Sequence, residues 1–228
     1  MNFLTVTGLT KVFNEGSENQ SIALNGVDLS IDKEEFIVIS GPSGSGKSTL
    51  LNIIGGLDSP SSGSIELERT QISTLNENDL ALFRRENIGF VFQAYNLIPI
   101  LTVKENIEYV MRLLGYSQNE CDERVMEIAQ ALGIDAYLNK LPDHLSGGQQ
   151  QRVAVARAVA SKPKLILADE PTANLDTKNG ENLMELMRLL NEEEKVTIIF
   201  SSHDPLVINK AKRSIVLRDG KVVEDTVR

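Results

Sequence analysis

Phe36-Ile37-Val38-Ile39-Ser40-Gly41-Pro42-Ser43-Gly44-Ser45-Gly46-Lys47-Ser48-Thr49 is an apolar run, a glycine-rich turn and the start of a second apolar segment. The run Phe36–Ser40 shows no polar alternation, the mark of a strand buried on both faces. Lys47–Ile54 reads as a helix ended by Gly55-Gly56. Between them, residues 41–48 fit Gly-x4-Gly-Lys-Ser/Thr. In that pattern glycines let consecutive backbone N–H groups close around phosphate oxygens, and the helix N-terminus adds partial positive charge. Lys47 then reaches the β- and γ-phosphates, and the Ser48 hydroxyl ligates Mg²⁺. Residue frequencies alone produce the pattern in about one chain in a hundred of this length. A buried strand before it and a helix after it argue against such an accident. The stretch predicts a nucleoside di- or triphosphate site on an α/β fold.

Outward from it, strands and helices alternate. Residues 3–6 and 23–31 read as strands, split by the polar loop 14–20. Residues 164–168 and 196–200 are again apolar strand runs, and Leu183, Leu186, Met187 and Leu190 mark an amphipathic helix between them. Strand, helix, strand predicts a right-handed parallel crossover. Asp219-Gly220 predicts a hairpin turn between residues 215–217 and 222–223. From about Thr102 to Ala160 the pattern is helical, with Val125, Ile128, Ala129 and Leu132 on one stripe. The expectation is an α/β core interrupted by a helical insertion.

Composition narrows the function. With 228 residues, 23 Lys+Arg against 32 Asp+Glu and a formal charge of −9, the chain has the balance of one ordinary soluble domain. Acidic proteins repel phosphate backbones at long range, so no nucleic-acid partner is expected. A lone Cys121 excludes an internal disulfide, and two His with one Cys show no zinc-ligand spacing. No apolar run nears the ~18–20 residues that span a bilayer. Residues 1–7 lack a basic, apolar leader, so no signal peptide is expected.

A phosphate loop needs an acidic strand end. Leu165-Ile166-Leu167-Ala168-Asp169-Glu170 supplies four apolar residues and then two carboxylates. Asp169 is placed to orient the metal through water, and Glu170 to take a proton from attacking water as general base. Leu145-Ser146-Gly147-Gly148-Gln149 is less common: Ser146 is a good N-cap, and the glycines expose amides at the start of a helix. That makes a second anion-binding helix end.

Residues 41–48, 145–149 and 165–170, in this order and spacing, resemble the ATP-binding cassette ATPases over essentially the whole chain. The Leu-Ser-Gly-Gly-Gln segment sets that family apart from other phosphate-loop families and excludes a small-molecule kinase. The resemblance implies an α/β, P-loop NTPase (RecA-like) core with an N-terminal antiparallel β subdomain. The single nucleotide-binding domain would run over 1–228, its core about 1–93 and 162–228, its helical subdomain about 94–161. It implies ATP and Mg²⁺, and a second copy packed head to tail so that two ATPs are sandwiched. Gly41, Ser43, Gly44, Ser45, Gly46, Lys47, Ser48 and Thr49 would hold the phosphates in one copy, and Ser146, Gly147, Gly148 and Gln149 would touch the γ-phosphate from the other. Gln93 matches the family's glutamine loop and joins Ser48 and Asp169 around the metal. His203 matches the switch histidine that holds Glu170; with Lys47, Gln93 and Glu170 it completes the catalytic set. Asp176 is the acidic member of a loop crossing the interface, and Phe13 falls where an aromatic stacks on adenine. The chain departs from the pattern at Lys33-Glu34-Glu35, where Gly-Glu is common, so that turn is expected to differ. It departs also at Ser201-Ser202, where Val/Thr is usual, and neither is expected to touch the chemical groups.

Residues 55–63, 87–93 and 171–176 look most like the lipoprotein-releasing and macrolide-export group, whose ATPases drive a permease with few membrane helices and a large extracytoplasmic domain. The exposed side chains of Ala94-Tyr95-Asn96-Leu97-Ile98-Pro99 are expected to receive that permease. The implied location is cytoplasmic, on the inner face of the membrane. A signalling or cell-division ATPase on a permease-like anchor would share all these residues. A soluble cassette acting on DNA or ribosomes fits less well: 97 residues lie between Lys47 and Leu145, too few for the coiled coil of DNA-repair members, and ribosomal members usually carry two cassettes.

Overall fold

The computed structural model describes residues 2–227. Its first half comprises β1 (Leu4–Phe13), β2 (Ser21–Ile31), β3 (Phe36–Ser40), α1 (Lys47–Ile54), β4 (Ser62–Leu67), β5 (Thr70–Gln71), α2 (Glu77–Asn87) and β6 (Ile88–Val91). Three helices follow: α3 (Val103–Leu113), α4 (Gln118–Ala131) and α5 (Gly147–Ala160). Then come β7 (Leu165–Ala168), α6 (Thr177–Glu194), β8 (Thr197–Ser202), α7 (Pro205–Ile208), β9 (Arg213–Arg218) and β10 (Lys221–Val227).

β3 sits inside a six-stranded sheet ordered β10-β9-β3-β8-β7-β6. β9 to β6 are parallel, and β10 pairs antiparallel with β9 at one edge. A second sheet, β2-β1-β4-β5, is antiparallel throughout, as the sequence resemblance implied.

Strand side chains alternate between faces, and here both faces are covered. Phe36, Val38, Ile166, Ile198 and Phe200 join the helices through Ile107, Val125, Val153 and Leu183. Ile37, Ile39, Leu165, Leu167 and Ile199 face the other way, onto Leu50, Ile53 and Ile54 of α1 and onto Val6, Leu9 and Ile65 of the antiparallel sheet. That double burial is why the parallel strands read as unbroken apolar runs.

The helical stretch is three helices with definite starts. Thr102, Ser117 and Ser146 each cap a helix and form reciprocal capping boxes with Glu105, Glu120 and Gln149. The stripe Val125, Ile128, Ala129 and Leu132 is buried, and Cys121 is fully buried one turn earlier. Burial pushes its thiol pKa up. Buried Asn106 ties the preceding segment to α3: its Nδ2 faces the carbonyls of Ile98 and Leu101 at 3.1 and 2.9 Å, and its Oδ1 accepts from the Ile98 amide.

Two local features differ from a simple sequence pattern. β1 continues past Gly8 to Phe13 through a register shift between Val6 and Leu9, where the alternation of residues 3–6 stops. The turn before β3 keeps a left-handed residue, Glu34 at φ 64, which costs a side-chain-bearing residue roughly 1–2 kcal/mol. Its amide donates to Thr197 Oγ1 at 2.9 Å and its carbonyl accepts from Asn191 Nδ2 at 3.0 Å, so packing holds the turn without glycine. At the hairpin, Asp219 (φ 50) and Gly220 (φ 72) are both left-handed, as a two-residue turn between twisted strands requires.

Candidate active site

Four neighbouring strands, β3, β8, β7 and β6, point their C-terminal ends at one cleft. Ligands of open α/β sheets bind outside such strand ends. A cavity of about 680 Å³ lies there, lined by Ser43, Gly44, Gly46, Lys47, Ser48 and Thr49 from the loop after β3, and by Gln93, Glu170 and His203 from the other three ends.

The loop is built around backbone. Gly46 is the N-cap of α1 at φ 103, and no side chain caps that helix. Its first amides are left to whatever fills the cavity. A Cβ at Gly41 would stand 2.0 Å from the Leu217 carbonyl oxygen, and one at Gly46 2.4 Å from that of Ala23, so both positions require glycine. Lys47 Nζ donates to the carbonyls of Gly41 and Pro42 at 2.9 and 3.0 Å, which lays the ammonium across the loop. Ser45 is buried, outside the cavity lining, and its Oγ has no partner.

The acid pair is held from both sides. Ser48 Oγ donates to Asp169 Oδ1 at 2.9 Å. Glu170 has φ 46, and its Oε1 lies 2.9 Å from His203 Nδ1. The expectation that Ser201 and Ser202 stay clear of the chemical groups is wrong for Ser201. Its Oγ donates to Asp169 Oδ1 at 2.6 Å and accepts from the Glu170 amide at 2.8 Å. Parallel pairing of β7 and β8 sets Ala168 opposite Phe200, so the next residues on each strand meet. Ser202 Oγ accepts from the Asp204 amide. A hydroxyl directly after the apolar run 198–200 was the available signal.

Gln93 is exposed at the cleft, and its carbonyl accepts from Asn174 Nδ2 at 2.9 Å. Beyond it, Tyr95 (φ 63) and Asn96 (φ 48) are left-handed. Arg157 clamps both carbonyls, Nη2 to Tyr95 at 2.9 Å and Nη1 to Asn96 at 2.6 Å, and burial pushes the guanidinium pKa down. Sequence inspection gave Arg157 no role. The expected exposed aromatic and aliphatic surface is corrected: Tyr95, Leu97 and Ile98 are half-buried, and the large apolar side chain left in the open is Ile100, one residue beyond the segment and 82% exposed.

The remaining candidates lie off the cavity. Ser146 and Gln149 cap α5, with Gly147 and Gly148 as its first residues. Asp176 caps α6, where hydrogen bonds from Asn179 hold its carboxyl below the usual aspartate range. Phe13 is 40% exposed outside the lining, with Lys11 Nζ 5.0 Å from its ring centroid. Among the described residues no group of three or more His, Cys, Asp and Glu could hold a metal. A cation here would rely on the hydroxyl of Ser48, the carboxylate of Asp169 and the amide of Gln93, hard oxygen donors that fit Mg²⁺ alongside phosphate oxygens.

Known proteins are similar to this chain along most of its length. The ABC transporter family matches residues 24–173, and an AAA domain matches residues 141–209. The ABC transporter ATP-binding protein MJ0796 of Methanocaldococcus jannaschii is 44% identical over 223 residues, covering 96% of this chain and 94% of that protein. Its structure, described as a dimeric post-hydrolysis state bound to ADP and Pi, superposes with a TM-score of 0.90 at 42% identity, covering 98% of both chains. The bacitracin export ATP-binding protein BceA of Halalkalibacterium halodurans is 40% identical, over 97% of this chain and 87% of its own length. The macrolide export ATP-binding/permease protein MacB of Mannheimia succiniciproducens is 42% identical over 99% of this chain but only 35% of its own length. A P-loop fold with these motifs at its strand ends, matched along nearly its whole length, makes this chain a member of the ABC transporter family, an ATP-binding ATPase subunit.

Proposed function

We propose that the chain works as a pair around two ATPs and drives a separate membrane permease of the macrolide-export and lipoprotein-releasing type, from the cytoplasmic face. The observation that carries this reading is the separation of two glycine motifs. Residues 41–48 open onto the cavity that holds Glu170 and His203, whereas Ser146, Gly147, Gly148 and Gln149 lie away from it; Ser146 and Gln149 use their own amides in the cap, and the amides of Gly147 and Gly148 between them suit a phosphate held by a second copy. The dimeric form of the MJ0796 structure and the permease fused to the ATP-binding part in MacB support the two partners.

In this reading Lys47 and the loop amides bind the phosphates. Ser48, Asp169 and Gln93 would hold Mg²⁺, which would supply positive charge against that of the phosphates. Glu170 orients water and accepts its proton, and His203 keeps the Glu170 carboxylate aimed. Closure by the second copy excludes water and adds donors to the γ-phosphate. Phe13 offers a ring for adenine and Asp176 a contact across the pair. Residues 94–161 act as a helical subdomain whose position passes to the permease through the segment after Gln93.

Glu170→Gln tests the chemistry. It is expected to bind ATP with Mg²⁺, hydrolyse it about 10²–10⁴-fold more slowly and accumulate as a dimer in size exclusion; wild-type turnover would remove Glu170 as the base. Tagged Glu170→Gln, pulled from native membranes with ATP and Mg²⁺, is expected to bring down a protein with a few membrane spans and a large extracytoplasmic domain. Recovery of ribosomes or nucleic acid alone would overturn the transport reading.

A further inference from the structure

We propose that Ser201 is a positioning residue for hydrolysis, setting Glu170 and Asp169 from a single hydroxyl; the proposal rests on Glu170 being the general base. Ser201 is wholly buried at the end of β8. A serine hydroxyl has one hydrogen to give and lone pairs to receive, and both capacities are used here. The hydrogen goes to Asp169 Oδ1 at 2.6 Å, and the Glu170 amide donates to the oxygen at 2.8 Å. Asp169 Oδ1 also takes the Ser48 hydroxyl, so one chain of contacts runs from the phosphate-loop helix through Asp169 and Ser201 to the Glu170 backbone.

That backbone is where the hydroxyl matters most. Glu170 stands at φ 46, a conformation that a residue with a side chain keeps only when its surroundings hold it. Two main-chain bonds do so: the amide to Ser201, and the carbonyl accepting from the Ala173 amide at 3.1 Å. The direction in which the Glu170 side chain leaves the backbone brings Oε1 to His203. Without the Ser201 oxygen the amide loses its acceptor, and the backbone that aims the carboxylate loses one of its two main-chain bonds. Ser201 is not itself part of the cavity lining, which it meets through the Glu170 main-chain amide, so ATP binding should not depend on it.

Valine and threonine have the same shape and differ by the hydroxyl, so the pair isolates it. Ser201→Val is expected to lower kcat for ATP hydrolysis roughly tenfold while KM and the affinity for a fluorescent ATP analogue stay within about twofold. Ser201→Thr is expected to keep wild-type kcat. Hydrogen exchange at the Glu170 amide should be faster in Ser201→Val than in Ser201→Thr at equal thermal stability. If valine does not fold, Ser201→Ala replaces it against the same threonine reference. Equal kcat in the two variants, equal protection of the Glu170 amide, or a loss of ATP affinity matching the loss of kcat overturns the proposal. Glu170→Gln measured alongside separates the causes. If it is slow while Ser201→Val is normal, only the role of Ser201 falls. If it turns over normally, the general base and Ser201 fall together.

Discussion

The two helix starts that carry glycine motifs are built on opposite plans. α1 begins at Gly46 in the left-handed region with no side-chain cap. α5 begins at Ser146 in an extended conformation, with Ser146 accepting from the Gln149 amide and Gln149 accepting from the Ser146 amide. The first end keeps its donors for a ligand, and the second satisfies two of its own and leaves the glycine amides between them. An eight-residue helix without a cap is marginal in water. α1 is nevertheless secure, because Leu50, Leu51, Ile53 and Ile54 are buried against the sheet. Tertiary packing takes over the stabilising role that the cap plays in α5, and this frees the end of α1 to be an anion site.

Substitution at each end tests that contrast. Gly46→Ala is expected to have the largest effect, because it adds a Cβ 2.4 Å from the Ala23 carbonyl at a positive φ. The protein should lose about 2–4 kcal/mol and ATP binding should vanish, as read by chemical denaturation and nucleotide titration. Retention of both would mean that the open end of α1 is dispensable. Ser146→Ala removes a cap and should cost about 1 kcal/mol, with ATP affinity of the single chain unchanged. A parallel fall in affinity would show that the two ends are not independent.

The smallest effect belongs to a control remote from both ends. Arg213 on β9 binds Asp225 on β10 through Nε at 2.8 Å and Nη2 at 2.7 Å, which holds the Asp225 carboxyl below the usual aspartate range. A depressed folded pKa contributes stability above the unfolded value of ~3.9, and this contribution is lost as pH falls through the folded value. Asp225→Asn should therefore be slightly less stable than wild type at neutral pH, and the gap should close in acid. The pair is partly exposed, so the gap is small. Denaturation curves at several pH values check it, and a gap that widens in acid would contradict the assignment.

The parts legible in the sequence were those where one residue type has one physical use. The unbroken run Phe36–Ser40, the glycines at 41, 44 and 46, and the apolar residues before Asp169 identified the strands, the turn and the acid end, and the structure brings them together at one cleft. α2 left no comparable trace: it is polar, only Asn87 on it is buried, and its start depends on the Asn76 cap. The clamp of Arg157 on Tyr95 and Asn96 joins residues about sixty positions apart through main-chain carbonyls, which no side-chain pattern records. Ser201 was read as a neutral departure because its hydroxyl gains meaning only from the strand beside it.

Cys121 gives the helices a clock of their own. It is the chain's single thiol, fully buried on α4 in the cluster shared with α3, α5 and the sheet. Thiol reagents attack the exposed thiolate, and burial withholds both the exposure and the ionisation. The rate of labelling therefore counts the moments when α4 leaves its packing. A rate that slows when ATP is added would reveal that the cleft at the strand ends and the helices on one face of the same strands rise and fall in stability together.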